Sequence, residues 1–99
     1  MSRVAFQEKA VGESKILTFD FLSHLAVGES ISTASVSTAV YSGTDGSPSS
    51  LVSGGATISG SKVTQKIVGG VAGVVYLVTC SVTTSAGQEL CYSGYQAIL

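Results

Sequence analysis

The side chains in this sequence that could carry covalent or metal chemistry are two cysteines, Cys80 and Cys91, and one histidine, His24. Paired cysteines can form a disulfide or help to bind zinc, and a histidine can act as a general base. A structural zinc site uses four cysteine or histidine ligands, which two cysteines and one histidine cannot supply. For the two thiols, the open question is therefore whether they pair with each other.

The pairing depends on the register of a hairpin that we predict around Ser85-Ala86-Gly87. A two-residue loop would place Cys80 opposite Cys91 and would permit a cross-strand disulfide. A three-residue loop, with its glycine in the left-handed conformation, would place Cys80 opposite Tyr92 instead. Packing favours the second register because it collects the apolar side chains on one face, and the sequence shows no export signal. We therefore expect two unbridged cysteines.

No pattern in the sequence predicts an active site. His24 lies in an apolar connection near Asp20 and Ser23, and neighbours along one loop rarely form a catalytic arrangement. The glycine-rich segment 69–73 lacks the lysine and the following helix of a phosphate-binding loop, so we interpret it as a crossover between sheets. The acidic residues form no spaced cluster that would bind calcium. We predict that the protein is not an enzyme and uses no cofactor or metal.

Charge is scarce in this chain. Charged residues make up 11% of the sequence, and the formal net charge is −1. This balance argues against a basic surface for nucleic acid. No apolar run reaches the about 20 residues of a transmembrane helix. A domain with so little charge tends to associate with neighbours. We therefore expect protein partners, and neither nucleic acid nor membrane.

Alternation of polar and apolar residues predicts an all-β fold. The segment KILTFDF (15–21) places Phe19 on its apolar side, and SISTASVSTAVYSG (30–43) places Val36 on its better core face. The strongest turn signal follows in SGTDGSPSS (42–50). About seven short strands separated by such turns indicate an immunoglobulin-like β-sandwich of antiparallel strands. We place this domain at residues 15–99.

The last predicted hairpin supplies the most informative core residue, Tyr76. It begins the penultimate strand after a glycine turn and shares a face with Val78 and Val82. In immunoglobulin-like sandwiches, such a tyrosine packs in the core while its hydroxyl bonds backbone near the crossover. The predicted core includes Phe19, Val36, Tyr76, Val78 and Val82.

The first residues, 1–14, lack the alternation of the sandwich and are rich in charge. Terminal segments of this kind gain order mainly when they are tied to something else. We predict that they form an N-terminal docking arm outside the core, whose contact residues are Arg3, Phe6, Glu8 and Lys9.

Two long segments carry a resemblance to a known family: KAVGESKILTFDFLSHLAVGESISTASVS (9–37) and SGGATISGSKVTQKIVGGVAGVVYLVTCSVTTSAGQEL (53–90). Their acidic-glycine arm, Phe-Asp-Phe strand and Gly-x-x-Gly-x-x-Tyr crossover resemble those of small immunoglobulin-like virion proteins of tailed bacteriophages. Some of these are fiber–tail adaptors or neck-associated proteins. The ending CYSGYQAIL departs from the charged last strand of that family.

The resemblance implies a non-catalytic structural role in a virion that is assembled in the host cytoplasm. Many copies, arranged by the virion symmetry, would link the portal or tail to fibers or other virion proteins in the head–tail region. Two other classes stay open. One is a capsid decoration protein, and the other is a carbohydrate-binding or adhesin module that would use the exposed aromatics Tyr41, Tyr92 and Tyr95.

Overall fold

Seven β-strands and two 3-10 helices form the part of the chain that the computed structural model describes, residues 3–99. The 3-10 helices span Leu22–His24 and Pro48–Leu51. The strands are β1 (Arg3–Ala5), β2 (Lys15–Asp20), β3 (Ile31–Ser42), β4 (Val52–Ser59), β5 (Lys62–Ile67), β6 (Val75–Thr84) and β7 (Glu89–Ala97).

The strands form two packed sheets. One has the order β1-β7-β6-β3 and the other has the order β2-β5-β4. Apart from β1, this is the division of an immunoglobulin constant-type domain, whose second, fifth and fourth strands face its third, sixth and seventh. The prediction of a small immunoglobulin-like β-sandwich is confirmed. One pair departs from the expected antiparallel pattern, because β1 runs parallel to β7.

The core lies between the sheets and follows from the two-residue alternation of β2 and β6. Of the predicted core residues, Phe19, Tyr76 and Val78 have no exposed surface and Val82 is 3% exposed. Val36 is half-buried against the same cluster, because β3 lies at the edge of its sheet. The remaining buried apolar residues are Leu17, Phe21, Ile31, Leu51, Val63, Ile67, Val74, Cys80 and Ile98.

The N-terminal segment runs along β7, and this corrects the prediction of an arm outside the core. Strand β1 pairs with Ser93, Gly94 and Tyr95, and the amide of Lys9 donates to the carbonyl of Ala97 at 3.1 Å. The ring of Phe6 packs against Phe19 with its centroid 5.6 Å away. Residues 1 and 2 and the Arg3 side chain lie outside the described part.

Lys9 is the clearest departure from the predicted arm, because its side chain is buried. Its Nζ donates to the carbonyls of Gly69 at 2.6 Å, Ala10 at 2.8 Å and Val11 at 3.3 Å. Burial lowers the pKa of this ammonium, and the negative charge of Glu13 opposes part of that shift. The predicted contact residues of the arm with described side chains are Phe6, Glu8 and Lys9. Of these, only Glu8 is exposed.

The hairpin of β6 and β7 has the register that packing favoured. Cys80 lies opposite Tyr92, and Val82 lies opposite Leu90. The amide of Gly87 closes the turn onto the Thr84 carbonyl, with φ at 85°. This register turns the two cysteines to opposite faces, so Cys80 is buried, Cys91 is exposed and both are free. The prediction of unbridged thiols is confirmed.

The seat of the N-terminal segment can be tested at Gly94. A Cβ atom there would lie 2.3 Å from Cε2 of Phe6, so the ring and a larger residue cannot occupy the site together. Gly94→Ala should lower the free energy of unfolding by about 1–3 kcal/mol. In a Phe6→Ala background, Gly94→Ala should cause no further loss of unfolding free energy. Denaturant melts of the four proteins of this double-mutant cycle would show this.

Gly55→Ala is the matched control, because an added Cβ there meets no atom within 4 Å. An equal effect of Gly94→Ala with and without the Phe6 ring would contradict this seating of the segment.

The two thiols should differ sharply in reactivity. Burial, and to a lesser degree the negative charge of Cys91, raises the pKa of Cys80 to about 12, so its reactive thiolate is scarce at neutral pH. An alkylating reagent should modify Cys91 alone in the native protein and both cysteines after denaturation, as counted by mass spectrometry. Two fast native modifications, or a mass two hydrogens short after alkylation during lysis, would contradict the arrangement.

Candidate docking surface

The outer side of the four-stranded sheet carries rows of small hydroxyl side chains, because β3 and β6 place serine and threonine at exposed or half-buried outward positions. The strand registers align Ser37 with Thr79 and Ser93, and align Ser35 with Ser81. The hydroxyls of Thr79 and Ser93 lie 3.0 Å apart and bond each other. We call this surface the hydroxyl face; it comprises Thr33, Ser35, Ser37, Thr79, Ser81, Thr83 and Cys91, and it ends at Ser93, which is buried with 2% of its surface exposed.

An aromatic pair extends the hydroxyl face toward the N-terminal end of β6. The ring centroids of Tyr41 and Tyr95 lie 4.6 Å apart, and the ring planes are tilted by 58°. Across the β6–β7 pair, Leu77 lies opposite Tyr95. Tyr41 is 60% exposed. Tyrosine offers a large contact area at a low entropic cost, and serine offers adaptable hydrogen bonds, so the two together suit protein recognition.

Charge is nearly absent from this side of the sandwich. Among its described side chains, only Glu89 is charged, and it lies opposite Thr83 at the hairpin end of β7. A shallow groove of about 350 Å³ runs beside it between Thr33, Ser81 and Cys91. Depletion of charge together with enrichment of aromatics is the compositional mark of a protein interface.

The outer side of the three-stranded sheet has the opposite character. Asp20 faces Lys62 across the β2–β5 pair, and Lys66 lies opposite Ile16. Ile16 is 67% exposed, and its cross-strand neighbour is the charged Lys66. Among the described side chains, the sandwich therefore has one charged, solvated side and one nearly uncharged side.

Tyr76 holds one end of the sandwich together. Its hydroxyl accepts from the amide of Val71 at 2.9 Å, which is the predicted bond to backbone near the crossover. The same hydroxyl donates to Oδ2 of Asp45 at 2.6 Å, and Oδ1 of Asp45 accepts from the amide of Ser47 at 2.8 Å. The hydrogen bond from Tyr76, followed by that from Ser47, lowers the pKa of Asp45. The network joins the turn after β3 to the crossover before β6.

Glu29 joins the elements at the other end. It accepts from the amide of Ala26 at 2.9 Å, from the amide side chain of Gln88 at 3.0 Å and from the hydroxyl of Thr84. The Ala26 bond is the largest cause of its lowered pKa, and the Thr84 bond is the next. The connection between β2 and β3 is therefore fixed to the β6–β7 hairpin.

Neither Asp45 nor Glu29 was singled out by sequence reasoning. Each lies in a turn, and its long-range partners are 31 residues away for Asp45 and 55 to 59 residues away for Glu29. The only sequence signal was local, since Asp45 lies in a dense run of turn residues.

Cys80, Cys91 and His24 do not form one site, because Cys80 is buried whereas Cys91 and His24 are exposed on different elements. His24 is exposed on the 3-10 helix, with its ring 6.4 Å from that of Phe21. Segment 69–73 crosses from β5 in one sheet to β6 in the other, as interpreted from the sequence. Within residues 3–99, no group of three or more histidine, cysteine and acidic side chains could hold a metal ion. None of the helices described there is long and apolar enough to cross a membrane.

The fold defines a small immunoglobulin-like β-sandwich module. A family model described as Podophage GP4 fiber-tail adaptor protein gp77 matches residues 9–95 of the chain. Because this match covers most of the 99 residues, the protein belongs to this family of structural phage proteins, whose members are virion components. The resemblance seen in the sequence is thereby confirmed. No curated protein gave a match.

The hydrogen-bond network of Tyr76 predicts three different losses of unfolding free energy for three variants. Tyr76→Ala should lower the free energy of unfolding by about 3–5 kcal/mol, because it removes a buried ring. Tyr76→Phe keeps the ring and should lower it by about 1–3 kcal/mol. Tyr95→Ala should be far milder, since that side chain is only half-buried. Denaturant melts give the order, and a Tyr95→Ala variant as unstable as Tyr76→Ala would contradict the assigned core face.

The same network predicts how the Tyr76→Phe difference depends on pH. The fold lowers the pKa of Asp45 from its ordinary 3.8, so the bond stabilises the protein above that value and is lost as the pH falls through the folded pKa. The difference between wild type and Tyr76→Phe should be constant near neutrality and should narrow below about pH 4. A difference that stays constant into strong acid would show that the carboxylate is not the partner.

Proposed function

We propose that the protein is a non-catalytic adaptor in the head–tail region of a tailed phage and links the portal or tail to fibers or other virion proteins. Membership of the fiber–tail adaptor family supports the adaptor role. Copies assembled in the host cytoplasm take their positions from the symmetry of the virion. The protein acts through protein surfaces and does not bind nucleic acid or membrane.

The hydroxyl face and its tyrosine pair form the docking surface of this adaptor. The contrast in charge between the two sides of the sandwich supports this assignment. One side places Asp20, Lys62 and Lys66 in solvent, whereas the other has Glu89 as the one charge among its described side chains. Charged groups at the centre of an interface lose their hydration, so an uncharged side is the one that a partner can cover at low cost.

The two rival classes are supported less well. A capsid decoration protein would have a similar sandwich, but the family is described as a fiber–tail adaptor. A carbohydrate-binding module needs exposed aromatic platforms, and Tyr92 is half-buried against Phe19 and Phe21. Tyr41 and Tyr95 remain, but their rings are tilted by 58° and do not form one flat platform.

Two variants of exposed apolar residues on opposite sides test the docking surface. Tyr41 and Ile16 are 60% and 67% exposed, so glutamate at either position should leave the fold intact. Tyr41→Glu should greatly reduce incorporation into phage particles, because it buries a charge under the partner, whereas Ile16→Glu should be incorporated normally. Quantitative mass spectrometry of purified particles gives the copy number, and cryo-electron microscopy gives the position.

The choice of docking surface would be overturned if Tyr41→Glu is incorporated into particles normally, or if Ile16→Glu is not incorporated. Wild-type copies found on the head shell would replace the adaptor role with capsid decoration.

A further inference from the structure

Strand β3 ends the four-stranded sheet with an edge that has no partner strand. It has 12 residues, and β6 is its neighbour on one side. Within residues 3–99, no backbone hydrogen bond joins it to any strand other than β6. The nearby 3-10 helix contacts it through a side chain, since the Thr38 hydroxyl donates to the Pro48 carbonyl. An edge of this kind offers unpaired N–H and C=O groups to another extended chain.

The sequence of β3 carries none of the usual protection of a sheet edge. ISTASVSTAVYS contains no charged residue, proline or glycine. Natural edges are commonly blunted by such residues or by bulges. The two irregularities of β3 lie near its ends, between Ile31 and Thr33 and between Val40 and Ser42. The stretch from Thr33 to Val40 is therefore regular, and no strand within residues 3–99 pairs with its outer edge.

The inward side of β3 is incompletely covered. Val36 and Val40 are only half-buried, whereas Val78 and Cys80 on the same side of β6 have no exposed surface. An added strand beside β3 would extend the sheet and cover these apolar side chains, which is a favourable burial. The missing neighbour is therefore a strand with the same alternation of small apolar and hydroxyl side chains.

We propose that β3 of a second copy is this neighbour and that the two strands pair antiparallel about a two-fold axis at Ser37. Residues i and 74−i then oppose each other, so outward residues meet outward residues and inward residues meet inward residues. Because β3 has no charge, this isologous pairing brings no like charges together. Within the regular stretch, the opposed pairs are Ser35–Ala39 and Ser37–Ser37 outward, and Ala34–Val40 and Val36–Thr38 inward.

The pairing produces one continuous eight-stranded sheet, because each copy contributes its four strands. The hydroxyl faces of both copies become one surface of twice the width. The low net charge of −1 keeps repulsion between copies small. This self-association does not depend on the adaptor role, so purified protein is sufficient to test it.

Sedimentation equilibrium of the purified chain should show a concentration-dependent dimer of twice the 10.0 kDa mass. Ser37→Lys and Ser37→Glu should each shift the equilibrium toward monomer by at least tenfold in Kd, because like charges would lie directly opposite each other. Mixing the two variants should restore the dimer as a heterodimer, which also shows that both have folded. Ser81→Lys, in the neighbouring row on central strand β6, is the matched control and should leave dimerisation unchanged.

A wild-type chain that stays monomeric up to millimolar concentration would overturn the proposal, as would a monomer that binds an extended peptide of another virion protein along β3 instead. A dimer that persists in both Ser37 variants, or one that Ser81→Lys disrupts equally, would overturn the assigned edge.

Discussion

The alternation along β6 is the constraint on which the other features of the molecule depend. Its even-numbered side chains, from Tyr76 to Val82, fill the core, and its odd-numbered side chains, from Leu77 to Thr83, form the middle of the outer surface. Both neighbouring strands are bound to it by register, so a slip of one residue would exchange core and surface across the whole sheet. The three-residue turn with Gly87 at positive φ fixes that register on one side. The same constraint therefore sets the core, the free thiols and the hydroxyl face.

The features that were predictable from the sequence are those with a local periodic or turn signal. The register of the last hairpin followed from Gly87 and from the grouping of apolar side chains. The hydrogen bond between the Tyr76 hydroxyl and the backbone followed from the position of Tyr76 after a glycine turn. Long-range partners of polar residues have no such signal. Lys9 was expected outside the core as a contact residue of a docking arm, but three carbonyls of two separate segments surround its ammonium. The hydroxyl face could not be predicted from the sequence, because it depends on the registers that align residues of three strands.

The scarcity of charged residues has different consequences in the core and on the outer surface of this protein. In the core it is ordinary, but on an outer surface it removes the groups that normally keep proteins apart. Beyond the charge-rich N-terminal segment, the chain places charge on the side of β2 and β5, where Asp20 opposes Lys62, and at the loop ends, where Asp45 and Glu29 fasten neighbouring elements. Charge is thus used to close the sandwich and to keep one side in solvent, which leaves the other side available for contact.

The parallel pairing of the first and last strands also has a mechanical consequence. Because β1 and β7 run in the same direction, a force that draws residues 3 and 99 apart pulls these two segments past each other along their length. The bonds from Phe6 to Tyr95, from Lys9 to Ala97 and from Leu99 to Lys9 would then be strained together in shear rather than opened one after another. The Lys9 ammonium, held by the carbonyl of Gly69, adds a side-chain tie from the first segment to the crossover. A sandwich closed in this way resists tension between its two ends far better than one whose terminal strand can be peeled from the sheet.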